Sequence, residues 1–168
     1  MSEQKPRSAL PVPVVDFLDT SVFVELLDVP YMNDHRDEMV AELIRGTRDG
    51  VRLVLPTATI IETGNHVFQV KDGTARRSCA ARFAEQLRRT AAGEAPWVLH
   101  ERTWDGAFLR ALCDGGSTAM GLTEHAARRQ LGAGDLSIVA ERDLFARKVR
   151  ARVRIWTREA AMATWTEV

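Results

Sequence analysis

The chain has 168 residues, of which 45% are apolar and 27% are charged. This length and composition predict one domain with a hydrophobic core of its own. Its 23 Lys and Arg residues balance its 23 Asp and Glu residues, so it lacks the overall basic field of many nucleic-acid binders. If it binds a nucleic acid, the positive charge must come from a local basic patch.

The chain shows no membrane, secretion or zinc-binding pattern. Its start lacks the apolar core of a signal peptide, and the richest apolar stretch, residues 53–61, is interrupted by Pro56. Cys79 and Cys113 have neither CxxC spacing nor companion ligands, so both are expected to be buried thiols. We therefore expect a cytoplasmic protein without membrane contact.

Apolar runs alternate with segments of helical periodicity along the chain. Residues 1–12 are rich in polar residues and proline and predict a flexible lead-in, followed by a single domain over residues 13–168. Strands are predicted at 14–19, 51–55, 95–100 and 153–156. Helices are predicted at 21–27, 34–48, 58–71, 74–92, 103–112, 123–130 and 135–149, with a last helical turn or two over 158–164. This alternation predicts an α/β fold with a parallel sheet that is covered on both faces.

Four acidic residues stand at or near the ends of predicted strands or the starts of helices. Asp19 ends the first strand, Glu62 lies in the first turns after the second strand, and Glu159 follows the fourth strand within three residues. The carboxyl ends of parallel strands share one edge of a sheet, so these three side chains are expected on one rim. Asp135 begins a helix, and its position depends on how that helix is oriented in the fold.

A group of carboxylates needs a positive counter-charge, because like charges repel and raise one another's pKa. Magnesium and manganese ions prefer oxygen ligands and would supply that charge. Such ions make water nucleophilic and stabilise the transition state of phosphodiester cleavage. The acids therefore favour phosphoryl chemistry over zinc-dependent hydrolysis.

In four stretches, the sequence resembles the PIN domain, the fold of VapC-type toxin ribonucleases. Asp19-Thr20-Ser21 is similar to the strand-one Asp of that family and the small polar residues that follow it. Residues 56–62 resemble the segment with the helix-borne Glu, and residues 131–140 resemble the segment with the third acid. Residues 155–159, Ile-Trp-Thr-Arg-Glu, resemble a strand-four ending in which Thr-Arg-Asp is usual.

The resemblance implies a three-layer α/β/α sandwich with a mainly parallel sheet of four to five strands. It also implies a Mg²⁺- or Mn²⁺-dependent endoribonuclease that cleaves RNA, the toxin component of a type II toxin–antitoxin pair with an antitoxin protein as partner; a homodimer is left open. By resemblance, the metal ligands are Asp19, Glu62 and Asp135. Glu159 completes the catalytic set, supporting a second ion or orienting the attacking water. Ser21 and Thr157 are supporting residues that would hydrogen-bond metal-bound water or a phosphate.

Two other functions remain open from the sequence. Glu159 stands where the family usually has Asp, and a degenerate PIN-like domain that binds RNA or a protein without catalysis is the main alternative. A phosphohydrolase for small phosphate esters is the second alternative, although Gly132-Ala133-Gly134 lacks the Lys and Ser or Thr of a P-loop. Any one acid at a helix start can also be an ordinary N-cap.

Two further polar residues lie close to these acids in sequence. Asp16 lies three residues before Asp19 and therefore on the opposite face of the strand, where we expect a hydrogen-bonded or partly solvated acid. His66 follows Glu62 by one helical turn and is either a surface residue or within reach of a substrate phosphate.

Overall fold

A computed structural model describes residues 11–167 of the chain. Most of the predicted lead-in, residues 1–10, lies outside the described residues. The strands are β1 (Val14–Leu18), β2 (Arg52–Leu55), β3 (Trp97–Leu99) and β4 (Arg152–Trp156). The helices are α1 (Thr20–Leu26), α2 (Arg36–Arg48), α3 (Thr57–Phe68), α4 (Gly73–Ala91), α5 (Gly106–Asp114), α6 (Leu122–Arg128) and α7 (Ala133–Ala146). Short 3₁₀ turns cover Gly116–Thr118 and Ala163–Trp165.

The four strands form one sheet in the order β3-β2-β1-β4, and every pair of neighbours is parallel. β1 is therefore a central strand between β2 and β4. In its register with β4, Leu18 is paired with Trp156, so the two strands end side by side. This confirms the predicted α/β class and the parallel sheet, and it puts the residues after β1, β2 and β4 at one edge.

Hydrophobic cores lie on both faces of the sheet. Leu18 of β1 belongs to a core with residues of α1, α2 and α4, whereas Val15 and Phe17 belong to a second core with residues of α7. Side chains alternate between the faces of a strand, so one short apolar strand contributes to both cores. Helices on both faces of the sheet give the three layers of an α/β/α sandwich.

Asp16 is buried in β1, where it forms an ion pair with a residue of the neighbouring strand β4. Its two carboxylate oxygens accept hydrogen bonds of 2.7 and 2.6 Å from Arg154 of β4, the residue to which it is paired in the sheet register. A bidentate pair of this kind satisfies both carboxylate oxygens. Asp16 is thus a hydrogen-bonded structural acid, as the sequence suggested, and it faces the core of α1 and α2.

Some local expectations were wrong. From the sequence, Thr57 or Thr59 was expected to cap the helix after the second strand, but α3 begins at Thr57 with Pro56 as its N-cap, and neither threonine caps it. The Thr59 hydroxyl instead donates a 2.7 Å hydrogen bond to the backbone oxygen of Leu18, across from the end of β1. Cys79 is buried as expected, but Cys113 is exposed. Among residues 11–167, no helix combines the length and the apolar character that crossing a membrane requires.

Candidate active site

Asp19 lies at the centre of the polar edge of the sheet. It follows β1 directly, acts as the N-cap of α1, and is only 1% exposed. Its Oδ2 atom accepts hydrogen bonds from the Ser21 hydroxyl at 2.6 Å and the Thr157 hydroxyl at 2.7 Å. Its Oδ1 atom is buried and has no hydrogen-bond partner among the described residues. One oxygen of this carboxylate is therefore firmly held, and the other is buried without a hydrogen bond.

The hydroxyls around Asp19 join the start of α1 to the chain that follows β4. The Ser21 hydroxyl accepts a 2.9 Å hydrogen bond from the backbone N–H of Arg158, and the Thr157 hydroxyl accepts one of 2.9 Å from the N–H of Glu159. Each hydroxyl thus donates to Asp19 and accepts from the backbone. Ser21 and Thr157 lie where the sequence placed them, but their hydroxyl protons are used to orient Asp19.

Glu62 reaches the same edge from α3. Its Oε2 atom accepts a 2.7 Å hydrogen bond from the hydroxyl of Thr20, the residue after Asp19. On its other side Glu62 lies against Gly134 near the start of α7, where a Cβ atom at position 134 would overlap the carboxylate. The absence of a side chain at Gly134 is what lets α7 approach Glu62 so closely.

The contact between Gly134 and Glu62 brings Asp135 to the acids of β1 and α3. Asp135 is half-buried in the first turn of α7, and its Oδ2 atom accepts a 2.8 Å hydrogen bond from the N–H of Gly132, the N-cap of that helix. Burial raises the pKa of Asp135 from 3.8 to about 6; the Gly132 hydrogen bond opposes the rise, and the charges of Asp19, Glu159 and Glu62 add to it.

Glu159 completes the group from the exposed segment after β4. Partial removal from water raises the pKa of Glu159, the charges of Asp19 and Glu62 raise it further, and His66 opposes the rise. The structure therefore brings all four predicted acids within electrostatic reach of one another. His66, one helical turn beyond Glu62 on α3, acts electrostatically on Glu159.

The chemistry of this site fits a hard cation. Its donors are carboxylate oxygens that repel one another, and the buried Oδ1 of Asp19 has no partner. In their present side-chain positions, no three His, Cys, Asp or Glu residues within 11–167 form a group that could hold a metal ion. Glu62 and Asp135 are each held through one oxygen, Oε2 and Oδ2, and each has a second oxygen that could bind a cation after a small side-chain movement.

Sequence reasoning missed Thr20 and Gly134. The sequence offers Thr20 or Ser21 as the cap of the first helix, but Asp19 is the N-cap and the buried hydroxyl of Thr20 holds Glu62. A hydroxyl directly after the strand-end acid, on the edge where Glu62 was expected, was the available signal. Gly134 was considered only as part of a glycine-rich segment, and its contact with Glu62 depends on the packing of α7 against α3.

Comparison of the chain with models of known protein families, with curated proteins and with solved structures gave no match.

Proposed function

We propose that the protein is a metal-dependent endoribonuclease of the PIN-domain type, with its active site at Asp19, Glu62, Asp135 and Glu159. The observation that carries the proposal is the Asp19 carboxylate, which is buried, held through Oδ2 and unpartnered at Oδ1. A buried anionic oxygen without a partner is costly unless a cation binds it. The surrounding carboxylates make that cost higher.

The proposed ligands of the ion are Asp19, Glu62 and Asp135, and the ion is Mg²⁺ or Mn²⁺. When bound, it would supply Lewis-acid polarisation of a phosphodiester and make water more acidic. Ser21 and Thr157 keep Asp19 Oδ2 in place, and Thr20 does the same for Glu62 Oε2. These contacts fix the donor oxygens before a ligand arrives, which reduces the reorganisation needed on binding.

Glu159 contributes differently from the other acids. It is exposed, it lies after β4, and partial desolvation, together with the charges of Asp19 and Glu62, raises the pKa of its carboxyl. We assign it to the reacting water or the leaving group, to or from which a carboxyl can transfer a proton. Support of a second ion is the other role open to this side chain.

Replacing Asp19 tests the proposal directly. Asp19→Asn should lower Mn²⁺-dependent cleavage of a labelled single-stranded RNA by about a hundredfold or more, because the anionic ligand is lost. Asn remains a good N-cap, so α1 should still form. Asp72→Asn is the matched control: Asp72 caps α4 through a 2.7 Å bond from Ala75 and lies outside the acid cluster.

Metal titration separates catalysis from the non-catalytic alternative. We expect Mn²⁺ to raise the melting temperature of the wild type and of Asp72→Asn, and to raise that of Asp19→Asn less. Cleavage by Asp19→Asn at the wild-type rate would reject the site. RNA binding without any effect of Mn²⁺ on melting would instead favour a PIN-like binding module.

The toxin assignment rests on the resemblance to VapC-type toxins and extends the same proposal. Expression of the wild-type protein should arrest the growth of a bacterial host, whereas expression of Asp19→Asn should not. Co-expression of a neighbouring small gene that encodes the antitoxin should restore growth. If the host grows normally while it expresses the active nuclease, the protein is a ribonuclease but not a toxin.

A further inference from the structure

Tyr31 lies in a position that neither burial nor backbone preference explains. Its side chain is 87% exposed, and its backbone φ is +67°, in the left-handed region. An aromatic residue in that region is strained, and Gly or Asn would adopt it more easily. Strain at an exposed aromatic residue points to a role outside the stability of the fold.

The turn that carries Tyr31 is firmly held on both sides. Asp28, which also has positive φ, accepts a 2.7 Å hydrogen bond from the Asn33 side chain, and its backbone oxygen accepts one of 2.7 Å from Arg82 of α4. Val29 is buried in the core beside the turn. Tyr31 is therefore an exposed ring on a rigid support, so little conformational freedom is lost when a ligand stacks on it.

Tyr31 lines a cavity of about 490 Å³ between the turn after α1 and the C-terminal end of α3. The cavity has an apolar floor that includes Val29 and Val70, and its rim carries His66 and Lys71. His66 is one turn from Glu62 on α3 and acts electrostatically on Glu159. His66 thus links the cavity to Glu62, on the same helix, and to Glu159.

The lining combines an aromatic ring, an apolar floor and two basic side chains. This is the combination with which proteins bind single-stranded nucleic acid, in which bases stack on aromatic rings and cations contact phosphates. A larger cavity of about 600 Å³ lies beside α2, but two of its arginines already pair with acids of the same lining, Arg154 with Asp16 and Arg45 with Glu42. The smaller cavity offers His66 and Lys71 on or just beyond the helix that carries Glu62.

We propose that this cavity binds one nucleotide of a single-stranded RNA beside the carboxylates, with the base stacked on Tyr31 and phosphates contacted by Lys71 and His66. The proposal rests on the proposed ribonuclease function and names the substrate subsite of that same site. It also explains why a neutral protein can bind RNA, since only a local basic patch is needed.

The test is the affinity of the full chain for a labelled single-stranded RNA, measured by fluorescence anisotropy in EDTA so that no cleavage occurs. Tyr31→Ala should raise the Kd about tenfold, the size expected for the loss of one base stack. Tyr31→Phe keeps the ring and should stay near the wild-type value. Phe68→Ala is the matched control, because Phe68 is an exposed aromatic residue that does not line the cavity.

An abasic oligonucleotide distinguishes stacking from a structural role. Removal of the bases should abolish the difference between wild type and Tyr31→Ala, whereas a folding defect would weaken the binding of both oligonucleotides. Tyr31→Asn provides a second variant suited to the left-handed backbone; it should retain the melting temperature and still lose affinity. Lys71→Gln should make the plot of log K against log salt concentration less steep, by the amount expected for the loss of about one phosphate contact.

The outcomes separate this proposal from the proposed function. Wild-type affinity in Tyr31→Ala, an equal loss with the abasic oligonucleotide, or no RNA binding by the wild type would each overturn the subsite. Mn²⁺-dependent hydrolysis of bis(p-nitrophenyl) phosphate by the wild type tests the catalytic proposal alone, because this small diester carries no base. Tyr31-dependent RNA binding without that hydrolysis would retain the subsite and reject the nuclease.

Discussion

Asp135→Asn should make the metal-free protein more stable at neutral pH. Burial and the neighbouring charges raise the pKa of Asp135 from 3.8 to about 6. The folded state thus binds the proton of Asp135 more tightly than the unfolded state does. The stability gained from that proton is complete below pH 3.8 and is lost as the pH rises through about 6. Asn resembles the protonated acid and can keep the hydrogen bond from Gly132.

The size of the effect follows from the same pKa. A rise from 3.8 to about 6 corresponds to about 3 kcal/mol between the charged and neutral forms. Asp135 is only half-buried, so solvent screening reduces this to about 1.5 kcal/mol. We therefore expect Asp135→Asn to raise the free energy of unfolding by about 1.5 kcal/mol at pH 7.5 and by less at pH 4.5.

The effect is measured by urea unfolding of the wild type and Asp135→Asn in EDTA at these two pH values. Other groups titrate equally in both proteins, so they cancel in the difference between the two free energies of unfolding. The dependence on urea concentration should be the same for both. With Mn²⁺ present the order should reverse, because the wild type alone retains the full set of proposed ligands. An Asn variant that is no more stable than the wild type at pH 7.5 would refute the view that repulsion and desolvation act on Asp135.

Two further substitutions test how the acids are positioned. Thr20→Val removes the hydroxyl that holds Glu62 and should lower Mn²⁺ affinity, measured by calorimetry, about tenfold with the fold intact; unchanged affinity would make that hydrogen bond irrelevant. Gly134→Ala should displace the Glu62 carboxylate and lower both the free energy of unfolding, by about 1–3 kcal/mol, and RNA cleavage. Gly132→Ala is its control, since a Cβ there meets Asp135 at an ordinary 3.5 Å, and equal losses in the two variants would contradict this reasoning.

The parallel sheet and the meeting of three acids followed from local patterns. Alternation of strands and helices predicted parallel neighbours, and parallel neighbours put Asp19, Glu62 and Glu159 at one edge of the sheet. Asp135 was different, because its position depends on the direction of α7. That direction depends on the packing of α7 against β1 and β4, which brings Gly134 into contact with Glu62 although the two are far apart in sequence.

The errors have the same physical origin. Thr59 was a reasonable candidate for a helix cap, but its hydroxyl reaches the backbone oxygen of Leu18, a partner that no window around residue 59 contains. The partner of Asp16 also depends on the register between β1 and β4, which pairs it with Arg154. Local periodicity predicts elements, whereas side-chain partners depend on how those elements are arranged.

The order of strands in the sheet has a consequence for biosynthesis. The first strand of the described chain, β1, pairs with the last, β4, and Asp19 receives its hydrogen bond from Thr157 across 138 positions. A growing polypeptide that already carries Asp19, Glu62 and Asp135 therefore lacks the segment that orients the first of them. The proposed active site would remain incomplete on the ribosome until β4 has emerged and docked, so interrupted synthesis would leave fragments in which Thr157 cannot orient Asp19.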